Sequence, residues 1–486
     1  MKKQVLSLAF LLASACAYSQ TSYLSELLIN NRQVEKTADR QVKVSFDADL
    51  SGLDMKRQQS LRVVPVIVSA DGSQEVELPA FVINGTVRDK VNAREAALGN
   101  TSAEDGALLT VRRKNGTSQS VNYEASVPFK RWMIGGNLQL RGYATGCAQC
   151  NEGNETNYTG DILPPLNPQY GSPFVQPKEE EVKRRSETRT ARLQFRQGSS
   201  VIQKDYQQNA KELDAVHRSM QLVKDNSDLT ITGIYVTGYA SPEGGFDFNM
   251  KLSERRAKAF AEYMKDDLSS IDPKLYHVDW KGEDWEGLRA EIDRQPQLQE
   301  RSIILDVLNG CGDDKDACEQ KIRQTVSPAA YNQLLTEVYP PIRRNEYRIE
   351  YNVRHFEVEE GKQMIKSRPD LMSVNEIQQV ADAYGKGTPQ YIDCLLAGAK
   401  AYPQDITAQN NAALALIEAG RTEEAVALLQ KAPQDAALQN MLGVAYLKQG
   451  NTEDARSMFR RAASAGNAQA QANLKMLEDY IEYYAE

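Results

Sequence analysis

Histidine is scarce in this chain of 486 residues, with only His217, His277 and His355 present. None stands at a metal-ligand spacing or beside a nucleophile motif, so zinc hydrolysis and Ser-His or Cys-His catalysis find no footing. No catalytic residue, metal site or cofactor is expected, and the chain reads as non-enzymatic. A basic excess is missing too. Against 66 Asp and Glu stand 58 Lys and Arg, a formal net charge of −8, which argues against a nucleic-acid partner. No run of about 18 or more apolar residues occurs, so no transmembrane helix is expected. With 41% hydrophobic and 26% charged residues, the composition excludes global disorder and disulfide-dense scaffolds. The length asks for roughly three domains.

The N-terminus reads as a targeting signal over residues 1–19. Lys2 and Lys3 precede an apolar run from Val5 to Ala15 that is too short to span a bilayer, and small residues follow. Ala17-Tyr18-Ser19 offers one cleavage point, leaving Gln20 as the new terminus. Ala13-Ser14-Ala15-Cys16 offers the alternative, a weak lipobox with Cys16 lipidated. Ala13 stands where such boxes prefer Leu, so the soluble reading is preferred. Export places the remaining cysteines in an oxidising compartment. Cys311 and Cys318 flank a Gly-Asp-Asp-Lys-Asp loop and are close enough to pair. Cys147-Ala-Gln-Cys150 has redox or zinc spacing, but it lies in a Gly- and Asn-rich loop and does not open a helix. A structural disulfide is the expected reading there as well. Cys394 lies in a helical segment and reads as a buried small hydrophobe.

Residues 20–160 read as an all-β, sandwich-like domain. Val42, Val44 and Phe46 alternate with polar residues, as do Val121, Tyr123, Ala125 and Val127. Asp71-Gly72 and Asn115-Gly116 are hairpin signals. Few aromatics and short, uneven strands weigh against an outer-membrane barrel. A Pro-rich and charged linker spans 161–185, with Pro164, Pro165, Pro168, Pro173 and Pro177 stiffening it. The mixed-charge run from Lys178 to Arg192 reads as a solvated lead-in. From 186 to 356 strands and helices alternate as an α/β sandwich. Ala191, Leu193 and Phe195 share one strand face, and Ala210, Leu213, Val216, Met220 and Val223 lie at helical spacing. A second strand runs through Leu229, Ile231, Ile234 and Val236, interrupted at Gly233, and a late strand alternates from Tyr347 to Val353. Residues 357–486 are helical and repetitive, with Gly420, Ala425 and Ala432 recurring at Gly450, Ala455 and Ala462.

One segment carries the functional argument: Gly238-Tyr-Ala-Ser-Pro-Glu-Gly244, then Asn249, then Leu252-Ser-Glu-Arg-Arg-Ala257. It resembles the OmpA-like peptidoglycan-associating domain, over about 186–356 and including Arg343-Arg344-Asn345-Glu346-Tyr347-Arg348. Arg256 lies four residues after Leu252 and four before Phe260, on the apolar stripe of its helix. A guanidinium there demands an anion, and its planar fork suits a carboxylate. An internal pair with Glu243 or another carboxylate is the alternative. Arg255 points elsewhere and reads as a surface residue, and Asn249 could simply cap the helix. The resemblance implies that a loop Asp holds the amino group of diaminopimelate while the helix arginine holds its carboxylate. This chain has Ser241 at the Asp position, with Glu243 two residues later as a candidate substitute. The candidate peptidoglycan-binding set is therefore Ser241, Glu243, Asn249 and Arg256. Trp280, Trp285, Leu288, Ile292 and the Cys311–Cys318 loop form an insertion whose tryptophans read as core.

The C-terminal pattern Leu442-Gly443-x-x-Tyr446, Ala455, Phe459, Ala462 resembles tetratricopeptide repeats. Ala413, Ala425, Leu429 and Ala432 repeat it more weakly, an earlier unit lies near 373–403, and Leu474, Leu477 and Ile481 form a closing cap. A concave peptide-binding face or a purely structural spacer are the two implications. Val127-Pro-Phe-Lys-Arg-Trp-Met133 and the later Gly-Cys-Ala-Gln-Cys loop look like an uncharacterised Bacteroidetes envelope family encoded near fimbrial genes. The expected function is an envelope scaffold, exported to the periplasm or outer membrane of a Gram-negative bacterium. Its α/β domain would bind peptidoglycan and its flanking modules would bind envelope or fimbrial proteins. The alternative is a fimbrial assembly, anchoring or adhesion component whose α/β domain no longer binds the wall.

Overall fold

The structure, a computed structural model, describes residues 22–99, 106–146, 151–196, 198–267 and 269–486. The expected signal peptide, Cys16, Cys147 and Cys150 lie outside the described residues. The chain divides into two compact units, one of residues 1–171 with 459–486 and one of residues 172–458. No helix among the described residues is long and apolar enough to cross a membrane.

The first unit is built mainly from β1 (Leu28–Lys36), β2 (Gln41–Asp49), β3 (Ser60–Val68), β4 (Glu75–Glu77) and β5 (Ala80–Asn84). After helix α1 (Thr86–Ala97) follow β6 (Ala107–Arg112), β7 (Ser120–Pro128), β8 (Asn137–Thr145) and β9 (Asn151–Asp161). One sheet has the order β1-β2-β7, and the other runs β6-β5-β3-β8-β9 with β4 on β3. The alternation read in β2 and β7 lands on one face because the strands pair in register, Val44 opposite Ala125 and Phe46 opposite Tyr123. Phe46 stacks on Tyr123 with ring centroids 4.7 Å apart, and Phe81 of the second sheet packs edge-on to Phe46 at 6.1 Å. These rings join the two sheets in one core.

Two features depart from the all-β expectation. Helix α1 connects β5 to β6, which are parallel and therefore need a crossover. Asn115-Gly116 does not close a hairpin, because β6 pairs with β5 and β7 pairs with β2. The loop is held instead by buried Arg113, which donates to the carbonyls of Leu53, Ser51 and Thr117. Asp71-Gly72 does join a hairpin, β3 to β4, with Gly72 at φ +73°. Also in this unit, α16 (Ala468–Tyr484) ends against β1. Lys36 Nζ donates to the carbonyls of Glu482 (2.7 Å), Tyr483 (2.9 Å) and Ala485 (2.6 Å), supplying donors that the last helical turn lacks.

The second unit centres on a sheet of order β10-β13-β11-β12. Its strands are β10 (Lys183–Ala191), β11 (Leu229–Ala240), β12 (Tyr276–Glu283) and β13 (Asn345–Val353). Helices α2 (Asn209–Lys224) and α3 (Phe246–Asp267) cover one face. Leu213, Val216, Met220, Phe260 and Ala261 pack there on Ile234, Val236, Tyr347 and Ile349. The break read at Gly233 is a register shift between Ile231 and Gly233 against β13. The charge run is not a solvated lead-in: residues 183–191 form β10, paired antiparallel to β13 along its whole length. Strand formation therefore starts inside the segment read as linker.

The insertion between β12 and β13 folds as α4 (Trp285–Arg294), α5 (Arg301–Asn309), α6 (Lys315–Thr325), α7 (Pro328–Gln333) and α8 (Tyr339–Ile342). It has its own apolar core of Leu288, Ile292, Ile304, Ile322 and Tyr339. A Cys311–Cys318 disulfide, Cα to Cα 5.5 Å, closes the loop between α5 and α6.

Beyond β13 lie α9 (Val358–Ser367), α10 (Val374–Tyr384), α11 (Pro389–Ala401), α12 (Ile406–Glu418), α13 (Thr422–Lys431) and α14 (Ala436–Lys448), then α15 (Thr452–Ser464). Ser373, Thr388, Asp405 and Asp435 cap α10, α11, α12 and α14 with side-chain oxygens, each cap worth about 1 kcal/mol. Gly420 and Gly450 close α12 and α14 at φ +75° and +80°, the geometric reason for their recurrence. Position 356 is no break in the core, for one apolar cluster continues from Ala191 in the sheet to Ala445 in α14. A buried ion pair ties the same parts together. Lys183 Nζ of β10 lies 2.9 and 3.0 Å from the carboxylate of Glu376 in α10, and 4.0 Å from the Phe356 ring centroid.

Candidate functional site

The site forms where β11 runs out at Ala240 and the chain turns through residues 241–245 into α3. Close approach of strand and helix depends on Gly238. A Cβ there would fall 2.5 Å from the Ser253 carbonyl oxygen and 2.8 Å from Ala257 Cβ. Ser253 Oγ in turn accepts from Gly282 N at 3.1 Å, fastening the helix to the end of β12.

Asn249 sits inside α3 and is not its cap. Its Nδ2 donates to the carbonyls of Ser241 (3.2 Å) and Glu243 (3.3 Å) and to Glu283 Oε1 (2.8 Å). Its amide therefore bolts the loop to the helix. Glu283, which also accepts from Trp285 Nε1, is buried, and desolvation holds its pKa above the ordinary carboxylate range.

Arg256 is 6% exposed, on the buried side of α3 with Leu252, Ala257 and Phe260. Its Nε donates to the Ser199 carbonyl at 3.2 Å, and its guanidinium carbon lies 4.6 Å from the Phe195 ring centroid. Among the described residues no carboxylate lies within ion-pair distance of it. Burial, followed by the like charge of Arg343, pulls its pKa down to about 10, with Glu243 acting in the opposite direction and Arg255 adding to the fall. The cation is thus held in a place that disfavours it.

The internal pair weighed between Glu243 and Arg256 is not formed. Glu243 Oε1 accepts from Arg343 Nη2, and Arg343 Nε donates to Ser241 Oγ at 2.9 Å. One guanidinium from the approach to β13 therefore engages both loop residues in the place where the resemblance expects an acidic half-site. Glu243 Oε2 is enclosed and has no hydrogen-bond partner among the described residues. Sequence reasoning missed Arg343 as a site residue. Its only signal was the Arg343-Arg344 pair directly before the late strand. Arg344 does different work: it pairs with buried Asp284 at 2.9 Å, lies 4.3 Å from the Tyr239 ring centroid, and so anchors the insertion beside the loop.

The described site thus gathers Ser241, Glu243, Arg256 and Arg343, with Asn249 as its internal brace. It can accept an anion. Glu243 is already paired with Arg343 and Glu283 is engaged by Asn249 and Trp285, so the site offers little to an ammonium group. No group of residues able to hold a metal ion occurs among the described residues.

Two family models match parts of this chain. One, described as a domain of unknown function (DUF3868), matches residues 2–106. The other, the tetratricopeptide repeat, matches residues 416–477, within the C-terminal helical stretch. Among individual proteins, Outer membrane protein 41 of Porphyromonas gingivalis is 36% identical over 89 residues. That match covers 18% of this chain and 20% of the relative, so the chain spans about a fifth of the length of the curated relative it matches. Among solved structures, the OmpA-like domain of FopA1 from Francisella tularensis is similar at 18% identity and a TM-score of 0.19, over 37% of this chain and 80% of that one.

Proposed function

We propose that this chain is a non-enzymatic scaffold of a Gram-negative cell envelope. In this reading its α/β domain associates with peptidoglycan, and its β-rich and repeat modules hold envelope proteins. The observation that carries the reading is Arg256, a nearly buried guanidinium with no carboxylate among the described residues in ion-pair reach. A charge so placed is costly unless an anion pairs with it, and a bidentate carboxylate satisfies it best. Peptidoglycan stems present such carboxylates. The partial likeness to a protein named for the outer membrane supports placement in the envelope.

Sedimentation of the full chain with purified sacculi tests this. Wild type is expected in the pellet and Arg256→Ala in the supernatant, with Arg256→Lys between them because lysine keeps the charge and loses the fork. Equal sedimentation of wild type and Arg256→Ala would remove Arg256 from the site.

A second reading is favoured by Arg343. Because it engages both Ser241 and Glu243, the half-site for an amino group is neutralised from within. In that reading the domain is a structural part of a fimbrial assembly or anchoring component. Wild type that stays in the supernatant selects it.

A further inference from the structure

The sequence reads residues 164–177 as a stiff linker, yet within the second unit the stretch from Ser172 onward is a ligand of the repeat helices. Residues 172–177 form no helix or strand. Asn411 of α12 takes both main-chain groups of Val175. Its Oδ1 accepts from Val175 N at 3.0 Å, and its Nδ2 donates to Val175 O at 2.7 Å. The neighbouring Asn410 donates to Pro173 O at 3.0 Å, and Ser172 Oγ meets Met441 Sδ of α14. Asn410 and Asn411 are 2% and 3% exposed in a helix whose buried residues, these two and Gln409 apart, are apolar. Buried amides need partners, and here the main chain of Pro173 and Val175 supplies them.

The first unit repeats the device with its own residues. Asn473 of α16 takes both main-chain groups of Gly171, accepting from N and donating to O, each at 2.8 Å. Asn411 and Asn473 occupy the same place in their helices, six residues after the N-caps Asp405 and Asn467. The contacts on 173 and 175 are to main-chain atoms, so they hold the path of the backbone and not the identity of its side chains. Phe174 is exposed accordingly.

We propose that the repeat helices α12 and α14 form a site that reads an extended peptide main chain, and that its resident occupant is this chain's own Ser172–Gln176. A partner segment must present the same chemistry: extended, with an unblocked N–H and C=O at the residue facing Asn411, and polyproline-compatible flanks. It binds by displacing the resident. The site is independent of wall binding by Arg256 and is read by different measurements.

The test uses the full chain and a labelled peptide of residues 169–178, Gln-Tyr-Gly-Ser-Pro-Phe-Val-Gln-Pro-Lys. Wild type is expected not to bind it, being occupied. A chain carrying Val175→Pro, which lacks the N–H that Asn411 Oδ1 accepts from, is expected to bind it, and adding Asn411→Ala is expected to weaken that binding at least tenfold. Binding by the Val175→Pro chain that ignores Asn411, or no binding by a Val175→Pro chain whose circular dichroism and melting match wild type, overturns the proposal. Hydrogen exchange covers the case in which the substitution unfolds the repeats. The Val175 amide is expected to be protected in wild type and to exchange at least tenfold faster in Asn411→Ala. Exchange at the unprotected rate in wild type overturns the proposal.

Discussion

Replacing Lys183 with methionine tests whether the sheet and the repeat helices are one cooperative body. Lys183 Nζ is fully buried, and Glu376 retains 7% exposure of its side chain. The carboxylate also accepts from Phe356 N and Ser373 N, both at 2.8 Å. Lys183→Met strands a buried charge with two backbone donors, which costs about 3–5 kcal/mol. At roughly 2 °C per kcal/mol for a unit of this size, the melting temperature falls by roughly 6–10 °C. Lys183→Met with Glu376→Gln removes both charges and keeps an acceptor for the backbone, so it recovers at least half of the loss.

The pH dependence follows from the carboxylate. Burial pushes the Glu376 pKa up, but Lys183 and the two backbone N–H groups outweigh it, and the net displacement is downward. Burial also lowers the Lys183 pKa against the pull of Glu376. The carboxylate sets the sign because three donors converge on it. A depressed folded pKa contributes stability that is complete above the unfolded value, about 4.3, and is lost as pH falls through the folded value. The gap between wild type and Lys183→Met therefore closes in acid.

The assay is thermal unfolding of the full chain carrying Trp132→Phe, so that tryptophan fluorescence reports Trp280 and Trp285 alone, with circular dichroism following the helices. Both signals are expected to move together. A shift below about 2 °C, or loss of the helical signal with the tryptophan transition unmoved, would refute the reasoning.

Two further substitutions check the scaffold around the site. Gly238→Ala drives a methyl group into the Ser253 carbonyl and Ala257 of α3, and the cost is expected at about 1–3 kcal/mol in urea unfolding. An unchanged midpoint would mean that the close approach of strand and helix is dispensable. Cys311→Ser with Cys318→Ser removes a crosslink of sequence separation 7, worth roughly 2–2.5 kcal/mol by loop-closure entropy. Proteolysis between residues 285 and 342 is expected to quicken while the sheet core stays protected.

What the sequence disclosed follows from how local the signal was. The faces of β2 and β7 were legible because period-2 alternation is written within each strand, and their pairing buries both. The repeats were legible because Gly420 and Gly450 must adopt positive φ at helix ends. Helix α1 was not legible: Asn92 is its only fully buried residue, so it writes no apolar stripe. Strand β10 was hidden by its charges, since an edge strand can hide a lysine inward when a distant Glu376 receives it. The burial of Arg256 could be read from its position between Leu252 and Phe260. The fate of Ser241 and Glu243 could not, because their partner Arg343 lies about a hundred residues away. Asn411 gave no sign of its role either, because its partner is a main chain and not a side chain.

The most direct measurement of the central claim is calorimetric titration of the full chain with a soluble, defined peptidoglycan stem fragment bearing a free carboxylate. Saturable binding is expected for wild type, at least about tenfold weaker in Arg256→Ala, the worth of one charge-assisted bidentate contact. The same affinity in wild type and a correctly folded Arg256→Ala would contradict the account.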